Sequence, residues 1–157
     1  MPHGVNKDRG IVRRVRSSEL ELVSALIRNT LLVSNSLDYD MRIIWNLSRQ
    51  YSAENLRDMA IRRRMYVHVT GNVIDGTVSL KGDTIYAFFV APDKQGSGIG
   101  SDLLSCMEEV AKSLEIPCLK VDASITAKKF YEVHGYETVR EEWDGNYGTV
   151  ITMKKEL

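Results

Sequence analysis

The sequence predicts a single α/β domain, a sandwich with a central mixed sheet between helical layers, and three patterns predict that class. Three strand-like runs follow one another with tight turns between them. An apolar strand then enters an amphipathic helix through a glycine-rich turn. A further strand, a short helix and a closing hairpin complete the chain. At 157 residues the chain is large enough to bury roughly two thirds of its unfolded surface in one core, with no internal repeat or linker to divide it.

Each element has a local reason. Residues 1–9 are polar and expected to be loose. Residues 11–15 read as an edge strand, after which Ser17 or Ser18 is placed to cap a helix through Arg28 whose apolar residues Leu22, Val23, Leu26 and Ile27 recur at helical spacing. Residues 35–40 are a turn-rich break. A helical stretch covers 41–47, and Ser52-Ala53-Glu54-Asn55 opens another that runs to about Met65, with Arg62-Arg63-Arg64 as a solvated helix end. Strands follow at 66–70, 73–80 and 84–90, separated by the hairpin turns Gly71-Asn72 and Lys81-Gly82-Asp83. Beyond Gly98, the residues Ile99, Leu103, Met107, Val110, Ala111 and Leu114 form one apolar helix face, stopped by Pro117. Residues 118–123 alternate as a strand. Ala127, Phe130, Tyr131 and His134 share one face of a short helix that ends at Gly135, and residues 136–143 with 149–154 make a hairpin around Asp144-Gly145-Asn146.

The glycine-rich turn, Val90-Ala91-Pro92-Asp93-Lys94-Gln95-Gly96-Ser97-Gly98-Ile99-Gly100, is an anion-binding device. Its glycines allow positive φ and leave no side chains to block a ligand, so several N–H groups can converge on one point. The helix that follows adds its unpaired N–H groups and the positive end of its dipole, which favours phosphate. A Walker-type loop is excluded because Ser101 and Asp102 stand where Lys and Ser or Thr are required. A dinucleotide loop is disfavoured: its glycines directly follow a strand and open a domain of roughly 150 residues, whereas here residues 92–95 intervene and the chain ends soon after.

Two segments resemble the GCN5-related N-acetyltransferase (GNAT) family. Phe89-Val90-Ala91-Pro92 followed by Gln95-Gly96-Ser97-Gly98-Ile99-Gly100-Ser101-Asp102-Leu103-Leu104 is similar to that family's pyrophosphate loop and following helix. Residues 123–136, with Phe130-Tyr131-Glu132 and then Gly135-Tyr136, resemble its second conserved block. The resemblance implies a three-layer sandwich with a mostly antiparallel sheet, in which the strand ending at Val90 and the strand at Leu119 are parallel neighbours that splay around coenzyme A. It implies acetyl-CoA as co-substrate and no metal. Backbone groups of Phe88, Phe89 and Val90 would hold the pantetheine arm as an added strand, with an N–H near Phe89 or Val90 stabilising the oxyanion. Gln95, Gly96, Ser97, Gly98, Ile99, Gly100 and Ser101 would surround the pyrophosphate, and Ser124 stands where relatives commonly place an asparagine on the pantetheine. Tyr131 would lie beside the sulfur and return a proton to the departing thiolate, since a phenol near pKa ~10 and a thiol near ~8.5 are roughly balanced.

The chain departs from the family at the general base, where some relatives carry a glutamate at positions matching Thr84 or Leu119. Asp83 sits in a turn, and His68 and His134 read as a strand residue and a helix-end residue. A water chain or an already neutral amine is therefore expected to take the base's place, with positioning supplying much of the rate. The acceptor pocket is expected from residues 35–45, Tyr86, Phe88, Trp143 and Tyr147. In it Asp38, Tyr39, Asp40 and Trp45 either hold a cationic amine or serve as caps and core. A small-molecule primary amine is the default acceptor and a peptide or protein amino terminus the alternative, because the fold serves many acceptors. Outside enzymes, the alternative is a coenzyme-A-binding sensor without turnover. A homodimer is compatible with the family.

Composition narrows the partners. Lys plus Arg equals Asp plus Glu at 21 each, which leaves no excess charge for general nucleic-acid binding. The apolar runs are far short of a membrane span and no secretory segment is legible, so a reducing cytoplasm with Cys106 and Cys118 as free thiols is expected.

Overall fold

The computed structural model describes residues 10–157, so the expectation for residues 1–9 lies outside the described residues. Seven strands form one mixed sheet: β1 (Ile11–Arg14), β2 (Arg64–Thr70), β3 (Val73–Lys81), β4 (Thr84–Val90), β5 (Cys118–Ala123), β6 (Glu137–Asp144) and β7 (Gly148–Glu156). Their order is β1-β2-β3-β4-β5-β7-β6. Every neighbouring pair is antiparallel except β4 and β5, which are parallel. The predicted strands at 84–90 and 118–123 match to the residue. The first is an apolar, β-favouring run and the second alternates apolar and polar residues, and both are bounded by turn residues or proline.

One face of the sheet is covered by α1 (Leu20–Val33), α2 (Met41–Gln50) and α3 (Ala53–Arg62). Their core joins Leu20, Val23, Ile27 and Leu31 to Ile43, Ile44 and Leu56 and to Met65, Val67 and Val69 of β2. Three sequence expectations shift here. Neither Ser17 nor Ser18 caps α1. Instead the Glu19 carboxylate turns back to accept from the Arg16 backbone N–H at 2.8 Å and is gripped by Arg13 at 2.9 and 2.7 Å, so the helix starts at Leu20. Leu22 is exposed, because the buried stripe follows Leu20, Val23, Ile27 and Leu31. Met65 belongs to β2, where pairing with Ser79 of β3 overrides its helical propensity.

The other face is covered by α4 (Ile99–Ser113) and α5 (Lys128–Val133). Leu103, Leu104, Met107 and Ala111 of α4 pack on Val78, Leu80, Ile85, Leu119 and Val121, and Tyr131 of α5 closes the core against Tyr136, Ile151 and Met153. Helix α4 ends at Ser113, before Pro117, in a turn where Glu115 takes a φ of 60°. The result is the three-layer sandwich that the pattern predicts.

Candidate active site

Strands β4 and β5 pair only at Thr84 with Lys120 and at Ile85 with Val121 among the described residues. Just past Ile85, the register of β4 against β3 slips: Tyr86 faces Ser79 but Phe89 faces Thr77, which leaves Ala87 and Phe88 opposite Val78. Ala87 absorbs the extra residue with a φ of 48°, a left-handed backbone that costs a non-glycine residue about 1–2 kcal/mol. A bulge bends its strand and raises the local twist. Here it bends β4 where its pairing with β5 stops, so among the described residues the β5-side edge of β4 past Ile85 makes no strand pair.

At the far end of β4 the chain enters the glycine-rich turn. Gly96 and Gly98 have φ of 80° and 92°, and a Cβ added at either would meet nothing within 4 Å. Their backbone therefore faces open space. Gly98 is the N-cap of α4, so the unpaired N–H groups of the first turn point to the same region. The remaining residues of the motif support this surface. The Gln95 side chain donates to Ser34 Oγ and to the Val90 carbonyl, both at 3.1 Å, and braces the turn against α1. Ser97 donates its hydroxyl to the Lys94 carbonyl. Ile99 is buried in the core, and Gly100 is small because the Phe130 ring lies 3.0 Å from where its Cβ would sit. Of this set, Ser101 presents an exposed side chain in the first turn of α4, and its Oγ lies 2.9 Å from His134 Nε2. Two positive-φ glycines with nothing above them, at a helix N-terminus, fit a pyrophosphate.

Tyr131 is 3% exposed and stands in an aromatic cluster. Its ring makes edge contacts with Phe88 at 5.9 Å, Phe130 at 5.4 Å and Tyr136 at 5.5 Å between centroids. Burial pushes its phenol well above the usual range, so the hydroxyl stays protonated at any physiological pH. Ser124 Oγ accepts from the Ala127 backbone N–H at 3.2 Å and so closes the turn before α5, with its hydroxyl hydrogen left to donate.

The expected acceptor residues divide between structural and open roles. Tyr39 is 8% exposed. Its hydroxyl donates to the Thr149 carbonyl at 3.0 Å and accepts from the Ile125 N–H at 2.7 Å. Asp38 accepts from Thr126 at 2.7 Å, and Asp40 caps α2 through the Ile43 N–H at 3.0 Å. Asp38 and Tyr39 bind the segment before α2 to the loop after β5. Trp45 and Trp143 remain open at 65% and 68% exposed. Tyr86 lies beneath the Arg63 guanidinium, 4.2 Å from its ring centroid, so one arginine of the basic run is a stacked partner of β4 rather than a solvated side chain. Phe88 faces the α4–α5 layer, where its ring packs against Phe130 and Tyr131, and not the expected acceptor residues. A polar pocket of about 330 Å³ opens between α2, α3 and the β6–β7 turn, lined by Asn46, Arg49, Gln50, Asn55, Asn146 and Tyr147.

Asp83 accepts from Thr84 at 2.8 Å and lies 3.3 Å from Lys120 Nζ. The hydroxyl first and then the ammonium hold its carboxyl below the usual range, which makes it a poor base. His68 is buried with Asp75, Nδ1 to Oδ1 2.5 Å, and Thr70 completes that carboxylate at 2.6 Å. From the sequence, Asp122 stands out only as an acidic residue near the end of a strand, as a dinucleotide fold would place one, and not as a base. It is the first β5 residue beyond the last β4 pair, on the same face as Lys120 and Thr84, and it is exposed. Thr152 donates to its Oδ1 at 2.9 Å and fixes the carboxylate. The available signal was the strand alternation, which puts Asp122 opposite in facing to Val121 and Ala123. Among the described residues no group of three His, Cys, Asp or Glu side chains is arranged to hold a metal ion, and no helix is long and apolar enough to cross a membrane.

A parallel pair opened by a bulge, a phosphate-shaped turn at the end of the same strand and a buried tyrosine beyond the cleft define an acyl-coenzyme-A-dependent transferase. Residues 42–157 match the family model of the acetyltransferase (GNAT) domain, and the chain belongs to that family. It is an N-acetyltransferase of the GNAT type. No functionally curated protein matches the chain in sequence. Among solved structures, a GCN5-related N-acetyltransferase from Rhodopseudomonas palustris superimposes with a TM-score of 0.89 at 21% identity, over 95% of this chain and 96% of that one. The PaiA N-acetyltransferase of Thermoplasma acidophilum, in complex with coenzyme A, gives 0.80 at 19% identity over 94% and 99%. An aminoglycoside 6'-N-acetyltransferase complexed with coenzyme A gives 0.68 at 14% over 93% and 96%.

Proposed function

We propose that this chain binds acetyl-CoA along the free edge of β4 and transfers the acetyl group to the primary amine of a small molecule, which attacks directly within a ternary complex. The observation that carries this reading is the separation of β4 from β5 just past Ile85, at the strand that leads into the open backbone of Gly96 and Gly98. Main-chain groups of Phe88 and Phe89 continue the sheet onto the pantetheine arm, while the first turn of α4 holds the pyrophosphate. An N–H of the bulged segment stabilises the oxyanion, and Tyr131 donates its proton to the departing thiolate. Asp122 takes the proton that the attacking amine must lose, directly or through water. The bridge from Asp38 and Tyr39 to Thr126, Ile125 and Thr149 crosses the helical side of the cleft, which favours a compact acceptor over an extended peptide.

Thiol release from acetyl-CoA, measured across a panel of small primary amines and of peptides with free amino termini, tests the substrate class. Faster turnover of peptides would overturn it. Asp122→Asn tests the base. The loss in kcat/KM at neutral pH should be roughly a hundredfold to ten-thousandfold. It should shrink as the pH approaches the pKa of the amine itself, where the free base no longer needs an acceptor for its proton. A defect that is the same at every pH would remove Asp122 from the mechanism.

A further inference from the structure

We propose that coenzyme binding draws a proton onto His134, which acts through Ser101 as a positioning residue for the pyrophosphate; this rests on the coenzyme site of the preceding section. The inference starts from hydrogen-bond polarity. His134 Nδ1 lies 2.8 Å from the Phe130 carbonyl oxygen, and a carbonyl only accepts, so Nδ1 carries a hydrogen. In the neutral ring Nε2 is then an acceptor, and the contact of 2.9 Å to Ser101 Oγ is made by the serine hydroxyl donating to it. A hydroxyl has one hydrogen. While His134 is neutral, Ser101 therefore turns its lone pairs towards the open space at the α4 N-terminus, the wrong polarity for a phosphate oxygen.

Protonation at Nε2 reverses the chain. The imidazolium donates from Nδ1 to Phe130 and from Nε2 to Ser101 Oγ, and the serine hydrogen becomes free to donate to the phosphate. The proton comes from solvent and no covalent bond changes. The phosphate thus gains a donor and a nearby positive charge together, and by linkage its binding must favour the protonated ring. His134 is half-buried, its ring 4.4 Å from that of Phe130 between centroids, which fixes the orientation on which the relay depends. The charged groups around it are engaged elsewhere. Asp102, next to Ser101 on α4, lies 3.8 Å from His68 Nε2 through its Oδ2, and Glu108 of α4 pairs with Lys155 of β7 at 2.9 Å. Among the described residues His134 makes no ion pair.

The test is calorimetric titration of the full chain with coenzyme A near neutral pH, in buffers of different ionisation enthalpy. The buffer dependence gives the number of protons taken up. The wild type should take up measurably more protons on binding than His134→Gln, whose amide donates to Ser101 without titrating and so corrects for the ligand's own phosphates. Ser101→Ala should lower the uptake as well. Equal uptake by wild type and His134→Gln, both binding coenzyme, overturns the relay and leaves the function intact. If the wild type does not bind coenzyme A, both readings fall. Because the chain has three histidines, the protonation of His134 can also be followed directly by NMR in the wild type, with and without coenzyme A. An unchanged ring on binding overturns the proposal even if the variants do not fold.

Discussion

Replacing Gly98 by alanine separates the turn's two properties, backbone conformation and open access. The φ of 92° is left-handed, so a Cβ there costs the fold about 1–2 kcal/mol, a loss that a domain with roughly 5–15 kcal/mol of stability survives. Among the described residues, and apart from its two chain neighbours, no atom lies within 4 Å of the new methyl, so it projects into the space assigned to the pyrophosphate. Affinity for coenzyme A should fall at least tenfold, about 1.4 kcal/mol. Gly82→Ala is the control, because Gly82 has a φ of 59° and an equally open Cβ position but lies in the β3–β4 hairpin. Coenzyme A at a hundred times the wild-type dissociation constant should stabilise the wild type and Gly82→Ala by about 2.7 kcal/mol, and Gly98→Ala by only about 1.4 kcal/mol at the same concentration. Denaturant midpoints with and without coenzyme A read this difference. Equal ligand stabilisation of the two alanine variants would refute the phosphate-turn assignment.

Tyr131→Phe keeps the ring in its aromatic cluster and removes the hydroxyl. The fold and coenzyme affinity should survive while turnover drops roughly a hundredfold to ten-thousandfold, and single-turnover kinetics at the normal rate would return Tyr131 to a packing role. Gly148→Ala should be less stable than Gly82→Ala by a further ~1–3 kcal/mol, because its Cβ would meet the Tyr39 ring at 2.7 Å as well as a φ of 78°. Its KM for the amine should rise as the Tyr39 bridge shifts, and equal stability of the two variants would contradict the tight approach. Glu19 is held at about 2 by its hydrogen bonds from Arg13, against an ordinary value of 4.5. A lowered carboxyl contributes stability above its unfolded value and loses it as the pH falls towards the folded one. Between about pH 4.5 and 2 the wild type should therefore lose stability faster than Glu19→Gln, and parallel urea midpoints across that window would show that the pair does not act.

What was legible in the sequence follows from how local each determinant is. The runs 84–90 and 118–123 carry their strand signal in their own residues and are ended by Gly, Asp or Pro, so their bounds were readable. The turn was readable because positive φ at Gly96 and Gly98 leaves a glycine behind it. Met65 was misplaced because its state is decided by Ser79, a partner on another strand. Ala87 carries no mark of its left-handed backbone. The slip between β3 and β4 imposes it, and alanine serves there because its small side chain fits a buried bulge.

Asp122 shows the same principle at the level of chemistry. Within its own strand it is an ordinary outward-facing residue, and its claim on catalysis comes from lying one position past the last pair that β4 and β5 make. That position exists only because Ala87 bends a different strand. Conversely, Asp38 and Asp40 drew attention by charge and composition, yet their oxygens accept from Thr126 and from the Ile43 N–H. A carboxylate in a turn before a helix has a structural use ready to hand, since the orphan N–H groups of the first turn lie within its reach. A carboxylate in mid-strand at the mouth of a splay has no backbone donor of that kind beside it. Here a single hydroxyl, Thr152, donates to one of its oxygens.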